Sequence, residues 1–214
     1  LKKPEPAYRW KLLKKSELDA GTVYDLELVS QEWHDITWRH ALRVVVPPKT
    51  QPTSTIFLWN QGGKPGYTSM LMAFDLAEKI KAPVAFLFNI PNQPLLGGKT
   101  EDALIAETFV RYLKTKDDTW PLLFPMVKSL VKAMDSLQDF ARTEWKHEVK
   151  SFVVSGASKR GWTTWLTGAS DPRVKAIAPL VIDTLNMQKQ LPYQMQSYGA
   201  FSEMIRDYTA RDLV

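Results

Sequence analysis

The hexapeptide Gly156-Ala157-Ser158-Lys159-Arg160-Gly161 sets one hydroxyl among small residues, just past the short apolar run Phe152-Val153-Val154. A run without polar alternation reads as a strand buried on both faces of a sheet, and helical periodicity resumes almost at once. A serine on such a strand-to-helix turn is the arrangement of a nucleophile elbow. Its backbone is held in a strained conformation that small neighbours tolerate, and its hydroxyl projects beyond the strand end. The helix that follows presents unpaired N–H groups and the positive end of its dipole, so the Lys159 N–H is placed to stabilise an oxyanion. The corresponding chemistry is acyl transfer, with Ser158 as nucleophile and an acyl-serine intermediate. The common pattern has glycine two residues after the serine; here Arg160 stands there and Gly161 one place later. An ordinary strand–turn–helix whose serine caps the helix fits the same six residues.

A nucleophile of this kind needs a second oxyanion donor and a sheet that brings the two together. Thr55–Asn60 is apolar throughout and runs into Gln61-Gly62-Gly63-Lys64-Pro65-Gly66, where glycine allows close backbone approach and N–H groups aimed into a cleft. Gly62 or Gly63 is the expected second donor; a plain glycine turn is the alternative. Neither dinucleotide nor triphosphate fingerprints are present in that loop. A helical pattern over 69–81 leads to another buried run, Pro83–Phe88, so the unit is βαβ with a parallel crossover. Its exit, Asn89 to Gly98, is rich in proline and amides, and Asn89, Asn92 and Gln93 are candidate substrate-loop residues at the same sheet end.

The rest of the chain supplies the frame. Residues 1–21 are polar and basic and read as an N-terminal arm held by Tyr8, Trp10, Leu12 and Leu13. Segments 22–30 and 36–46 alternate with period two, as an antiparallel pair at a sheet edge would. Two helices are expected between Glu101 and Phe140, the second with apolar residues at spacings of three and four. The elbow strand and its helix follow, then a strand over 174–182. Open α/β sheets bind ligands at the carboxyl ends of their strands, and three loops converge there, after residues 60, 88 and 157. The order of elements is that of an α/β-hydrolase: a mostly parallel central sheet with helices on both faces. Residues 1–183 read as the N-terminal part of that domain, incomplete at its C-terminus. Residues 184–214, helical in tendency and rich in Met, Gln and Tyr, read as a cap or lid.

The triad order in this fold is serine, acid, histidine. His34, His40 and His147 all precede Ser158, so none is a credible base, and their spacing makes no metal site. Asp183 lies where a triad acid sometimes sits, though a helix cap is the reading its position favours. The last two strands and the histidine loop of such a domain are thus not among these residues, which leaves three readings: a fragment with its acid and histidine beyond Val214, a chain partnered by the remaining C-terminal part of the same domain, or a non-catalytic derivative.

Composition narrows the classes. The 214 residues are 44% hydrophobic and 24% charged with net charge +5, ordinary for a globular domain. The lysines are scattered and no nucleic-acid-binding module is recognisable. No apolar run approaches the length of a membrane span, and absence of cysteine excludes disulfides and thiolate catalysis. No cofactor is implied. Of eight tryptophans, Trp59, Trp162 and Trp165 fall within a few residues of the three loops.

The chain resembles the PhoPQ-activated pathogenicity-related family, which includes proteins described as autocrine proliferation repressors. The resemblance is carried by AYRWKLL, LWNQGG, NIPNQPL, VVSGASKRGWTTWLTG and DPRVKAIAPLVIDTLNM, which span almost the whole chain. It implies an α/β-hydrolase fold, export to the periplasm or exterior, a serine at Ser158, and an acid and histidine downstream. It also makes Arg160 part of the elbow rather than a departure from it. Two activities compete: hydrolysis of a small-molecule or peptide ester or amide, and non-catalytic signalling or binding on the same scaffold.

Overall fold

The computed structural model describes residues 4–50, 53–182 and 186–214. Seven strands form one mixed sheet in the order β1-β2-β3-β5-β4-β6-β7. They are β1 (Arg9–Leu18), β2 (Gly21–Trp33), β3 (Ile36–Val46), β4 (Thr55–Asn60), β5 (Val84–Leu87), β6 (Ser151–Ala157) and β7 (Val174–Leu180). Pairing is antiparallel from β1 to β5 and parallel across β5, β4, β6 and β7. The helices are α1 (Tyr67–Ile80), α2 (Glu101–Thr115), α3 (Leu123–Phe140), α4 (Lys159–Ser170), α5 (Met187–Tyr198) and α6 (Arg206–Thr209).

The apolar runs of the central strands are buried on both sides because each side of the sheet has its own core. In β4, Ile56 and Leu58 join the cluster built with α2 and α3, while Phe57 and Trp59 pack with α1 on the opposite side. In β5, Ala85 and Leu87 face the first cluster, and Val84 and Phe86 the second. This is the period-two alternation of a strand carried into two different helical layers. The fold is thus α/β, with helices on both faces of a sheet whose central part is parallel.

The N-terminal region departs from expectation. Residues 9–18 are not an irregular arm but a strand, paired with β2 from Arg9↔Val29 to Leu18↔Gly21. As the outermost strand it carries Lys11, Lys14 and Lys15, as exposed edges commonly do, and a register shift between Leu12 and Lys14 leaves Leu13 57% exposed. These features erase the alternation that would mark a strand in sequence. β2 and β3 are the expected pair, joined through His34 and Asp35 at φ 46° and 62°, as a two-residue hairpin turn requires. They lie one place in from the edge, which β1 occupies.

Candidate active site

Strand register brings the elbow and the glycine loop together. β4 and β6 are parallel neighbours, with Asn60 opposite Gly156. Two residues past those partners the chains reach Gly62 and Ser158, so both emerge side by side at the carboxyl end. β5 lies on the other flank of β4, with Asn60 opposite Leu87. The two loops continue the ladder: Gln61 N–H donates to Leu87 O at 2.8 Å, Ile90 N–H to Gln61 O at 3.0 Å and Asn89 N–H to Gly63 O at 3.0 Å.

Ser158 holds φ 54° and ψ −123°, outside the conformations L-residues ordinarily populate. Its N–H donates to Leu180 O on β7 at 2.9 Å, and its carbonyl accepts from Trp162 N–H at 3.0 Å. The backbone is therefore fixed on both sides of the strained residue. Ser158 occupies the N-cap position of α4, yet its side chain makes no capping hydrogen bond. The sharp turn also explains the late glycine. A Cβ on Gly161 would lie 2.3 Å from Ile182 Cγ2 and about as close as contact permits to two carbonyls, Leu180 O at 3.0 Å and Gly156 O at 3.1 Å. No side chain fits there, so the glycine falls three residues after the serine.

Arg160 turns away from Ser158 into the protein, where it is 7% exposed. Its Nε donates to Ile90 O at 2.6 Å, and its two terminal nitrogens donate to the Glu101 carboxylate at 2.6 and 2.7 Å. This is the bidentate fork that guanidinium geometry favours. Gln93 Nε2 donates to the same carboxylate at 2.6 Å, and Glu101 N–H donates to Gln93 Oε1 at 2.9 Å. Burial alone would raise the Glu101 pKa. The hydrogen bonds from Arg160 and Gln93, together with the charges of Arg160 and Lys159, outweigh it and bring the value down to about 2. Lys159 Nζ lies 2.6 Å from Asp102 and 3.5 Å from Glu101. The other Asp102 oxygen accepts from Tyr208 Oη at 2.9 Å, tying α6 to α2. Burial, and then the Asp102 charge, push the Tyr208 phenol far above its ordinary range.

Ser158, Lys159 and Asp102 line a cleft of about 1030 Å³ whose walls come from α2, α4 and the segment after residue 186. Phe109 and Trp162 form one wall, with ring centroids 6.4 Å apart, and Met204 and Tyr208 another. Gly62 abuts the Arg160 guanidinium rather than this cleft: a Cβ there would lie 1.8 Å from Nη2. The amide residues of the β5 exit loop are engaged with the protein itself. Asn92 Oδ1 accepts from Arg39 N–H at 3.0 Å and from Asn89 Nδ2 at 3.3 Å, and Gln93 holds Glu101. Trp59 stacks on Phe86 in the α1 layer, away from the cleft. Asp183 lies outside the described residues.

The histidines sit elsewhere. His34 stacks on Trp120 with centroids 3.8 Å apart. His40 is 3% exposed; its Nδ1 faces Phe88 O and Asn89 O, so that nitrogen carries the proton, and its Nε2 accepts from Ser30 Oγ at 2.9 Å. Burial lowers its pKa to about 4 against the opposing effect of the two carbonyls, so it is neutral near pH 7. Among the described residues no group of three His, Cys, Asp or Glu side chains could hold a metal ion. None of the described helices is long and apolar enough to cross a membrane.

The profile of the family described as "PhoPQ-activated pathogenicity-related protein" matches residues 1–214. The chain belongs to that family. Autocrine proliferation repressor protein A of Dictyostelium discoideum is 36% identical to it over 229 residues, covering 99% of this chain and 46% of the relative. The chain thus spans about half the length of this curated relative. Among solved structures, a glucuronoyl esterase from Solibacter usitatus superposes with a TM-score of 0.57 at 12% identity, over 98% of this chain and 63% of that one. Acetyl xylan esterase 1 from Thermoanaerobacterium sp. JW/SL YS485 gives 0.51 at 15% identity, over 97% and 67%. At such identities the likeness concerns the fold alone, an α/β sheet arrangement shared with these two esterases.

In this PhoPQ-related chain, Glu101, Asp102 and Tyr208 escape a reading of the sequence. Glu101 and Asp102 look like the acidic first turn of any helix, and Tyr208 lies in a short helix with no marked pattern. The arginine at the elbow was the one local signal: a long cation in a turn that favours small residues must find a partner nearby.

Proposed function

We propose that this chain carries the nucleophile of a serine esterase, with Ser158 attacking the carbonyl carbon of a small-molecule ester. The observation that carries the reading is Ser158 itself: φ 54° at a strand-to-helix junction, its hydroxyl uncommitted to capping, at the edge of a large cleft. As the new C–O bond forms, negative charge collects on the carbonyl oxygen, where the N-terminal amides of α4, Lys159 N–H first, stabilise it. Gly63, which unlike Gly62 does not pack on Arg160, supplies the second donor; each such donor is worth ~3 kcal/mol of transition-state stabilisation. Collapse expels the alcohol and leaves acyl-Ser158, which water then hydrolyses.

The histidine base comes from outside residues 1–214, in keeping with a chain that spans about half the length of its curated relative. The acid is Asp183 or a carboxylate from the same outside segment. Residues 187–214 form the lid-like cover of the cleft. The names of the structural neighbours favour an ester over an amide. The test is labelling of the full-length protein by a fluorophosphonate probe. Adduct on Ser158 that Ser158→Ala abolishes supports the reading; a folded, unlabelled protein refutes it.

The name of the Dictyostelium relative favours a second reading, an exported signalling protein that keeps the scaffold without catalysis. On that reading Ser158→Ala protein still represses proliferation when added to cells.

A further inference from the structure

We propose that Arg160 is a positioning residue, a buried joint that sets the elbow against the loops leaving β4 and β5. Its guanidinium meets three separate segments. It donates to Ile90 O in the β5 exit loop at 2.6 Å, forks onto Glu101 at the start of α2, and lies so close over Gly62 that a Cβ there would fall 1.8 Å from Nη2 and 2.2 Å from Cζ. Its main chain is held as well: Asn60 Nδ2, at the end of β4, donates to Arg160 O at 3.3 Å. Glu101 in turn is fixed by Gln93 through two hydrogen bonds and sits at φ 51°. A residue two places from Ser158 is therefore tied to the exit loops of β4, the adjacent strand, and of β5, one strand further along the sheet.

The chemistry of the side chain fits a spacer better than a counter-charge. A guanidinium is planar and its donors are fixed in direction, so three short bonds define its position and orientation together, which an ammonium on a flexible stem does not do. Gly62 packs on that plane. Since Gly62 and Ser158 leave adjacent strands in register, the thickness of the guanidinium sets how far the glycine loop stands from the elbow. Displacement of reacting groups by about 1 Å costs on the order of 100-fold in rate, so such a spacer bears on catalysis without touching substrate.

The geometric part of this inference stands apart from the esterase reading; its kinetic part rests on it. The test compares wild-type, Arg160→Lys, Arg160→Met and Glu101→Gln full-length proteins by hydrogen exchange and by the rate of fluorophosphonate labelling. Arg160→Met is expected to speed amide exchange at 61–63 and 157–160 together, by roughly tenfold or more, with β2 and β3 unchanged. Labelling should slow ~100-fold, in the maximal inactivation rate rather than in probe affinity, and Arg160→Lys should restore only part of both. Exchange at 61–63 that stays at the wild-type rate overturns the proposal. So does exchange that rises throughout the molecule with labelling per folded molecule intact, which is the signature of a general stability role. If the wild-type protein is not labelled at all while the two loops loosen together, the joint stands and the esterase reading falls. Should Arg160→Met fail to fold, Arg160→Lys and Glu101→Gln carry the same comparison.

Discussion

Gly62→Ala and Gly63→Ala make the same chemical change at adjacent positions, and the structure predicts opposite outcomes. At Gly62 the added methyl would lie 1.8, 2.2 and 2.8 Å from Nη2, Cζ and Nε of Arg160. These are three atoms of one plane, so only a movement of the whole guanidinium relieves the clash, and its hydrogen bonds oppose that movement. The guanidinium would have to retreat on the order of 1.5 Å to reach ordinary contact, which breaks bonds of 2.6 to 2.7 Å to Ile90 O and Glu101. Breaking a fully buried ion pair costs ~3–5 kcal/mol. Water still reaches the Glu101 side chain, which is 41% exposed, so the cost is shifted down by about 1 kcal/mol from that of a fully buried pair, to an expected loss of ~2–4 kcal/mol. At Gly63 the nearest atom to the new methyl is Gln61 Nε2, at 3.9 Å, and the backbone is not left-handed; the expected change is within ~0.5 kcal/mol. Urea unfolding followed by tryptophan fluorescence reads both values. Equal stabilities for the two variants, or a tolerated Gly62→Ala, would refute the reading of Gly62 as space reserved for Arg160.

Two pH dependences follow, from the buried His40 and the half-buried Glu101, and their windows overlap only between pH 4 and 4.5. His40 stays neutral down to about pH 4 while its unfolded counterpart takes up a proton near 6.5. Over that interval the unfolded state binds more protons, so stability falls as pH drops, by up to ~3 kcal/mol; His40→Gln should flatten the slope between pH 6.5 and 4, and a slope unchanged by the substitution would contradict this. Glu101 is held at about 2 against an ordinary value of 4.5, so its contribution is present above pH 4.5 and is lost as pH falls from there toward 2. Glu101→Gln should therefore lose less stability than wild type between pH 4.5 and 2 in urea melts, and parallel curves would count against the Arg160–Glu101 pairing.

Much of the frame is written locally. The runs at 55–60, 84–87 and 151–157 declare buried strands because a strand covered on both faces has no need of polar alternation, and the small residues around Ser158 declare a strained turn because little else tolerates it. The strand at 9–18 is illegible for the complementary reason: as an edge it is free to carry lysines and a bulge, and only its pairing to β2 makes it a strand. The surroundings of the elbow depend on distance in the chain. Arg160 meets Glu101 across 59 residues and Tyr208 meets Asp102 across 106, contacts that no periodicity encodes. Gly62 belongs to the same class. In sequence it is one of two equivalent glycines in a loop, and only the arrival of a guanidinium from the neighbouring strand's turn makes one of them indispensable. Residue type and spacing determine which side chains are able to do chemistry; the parallel register of β4 and β6 decides which of them meet, because side-by-side strands deliver their exit loops to one place.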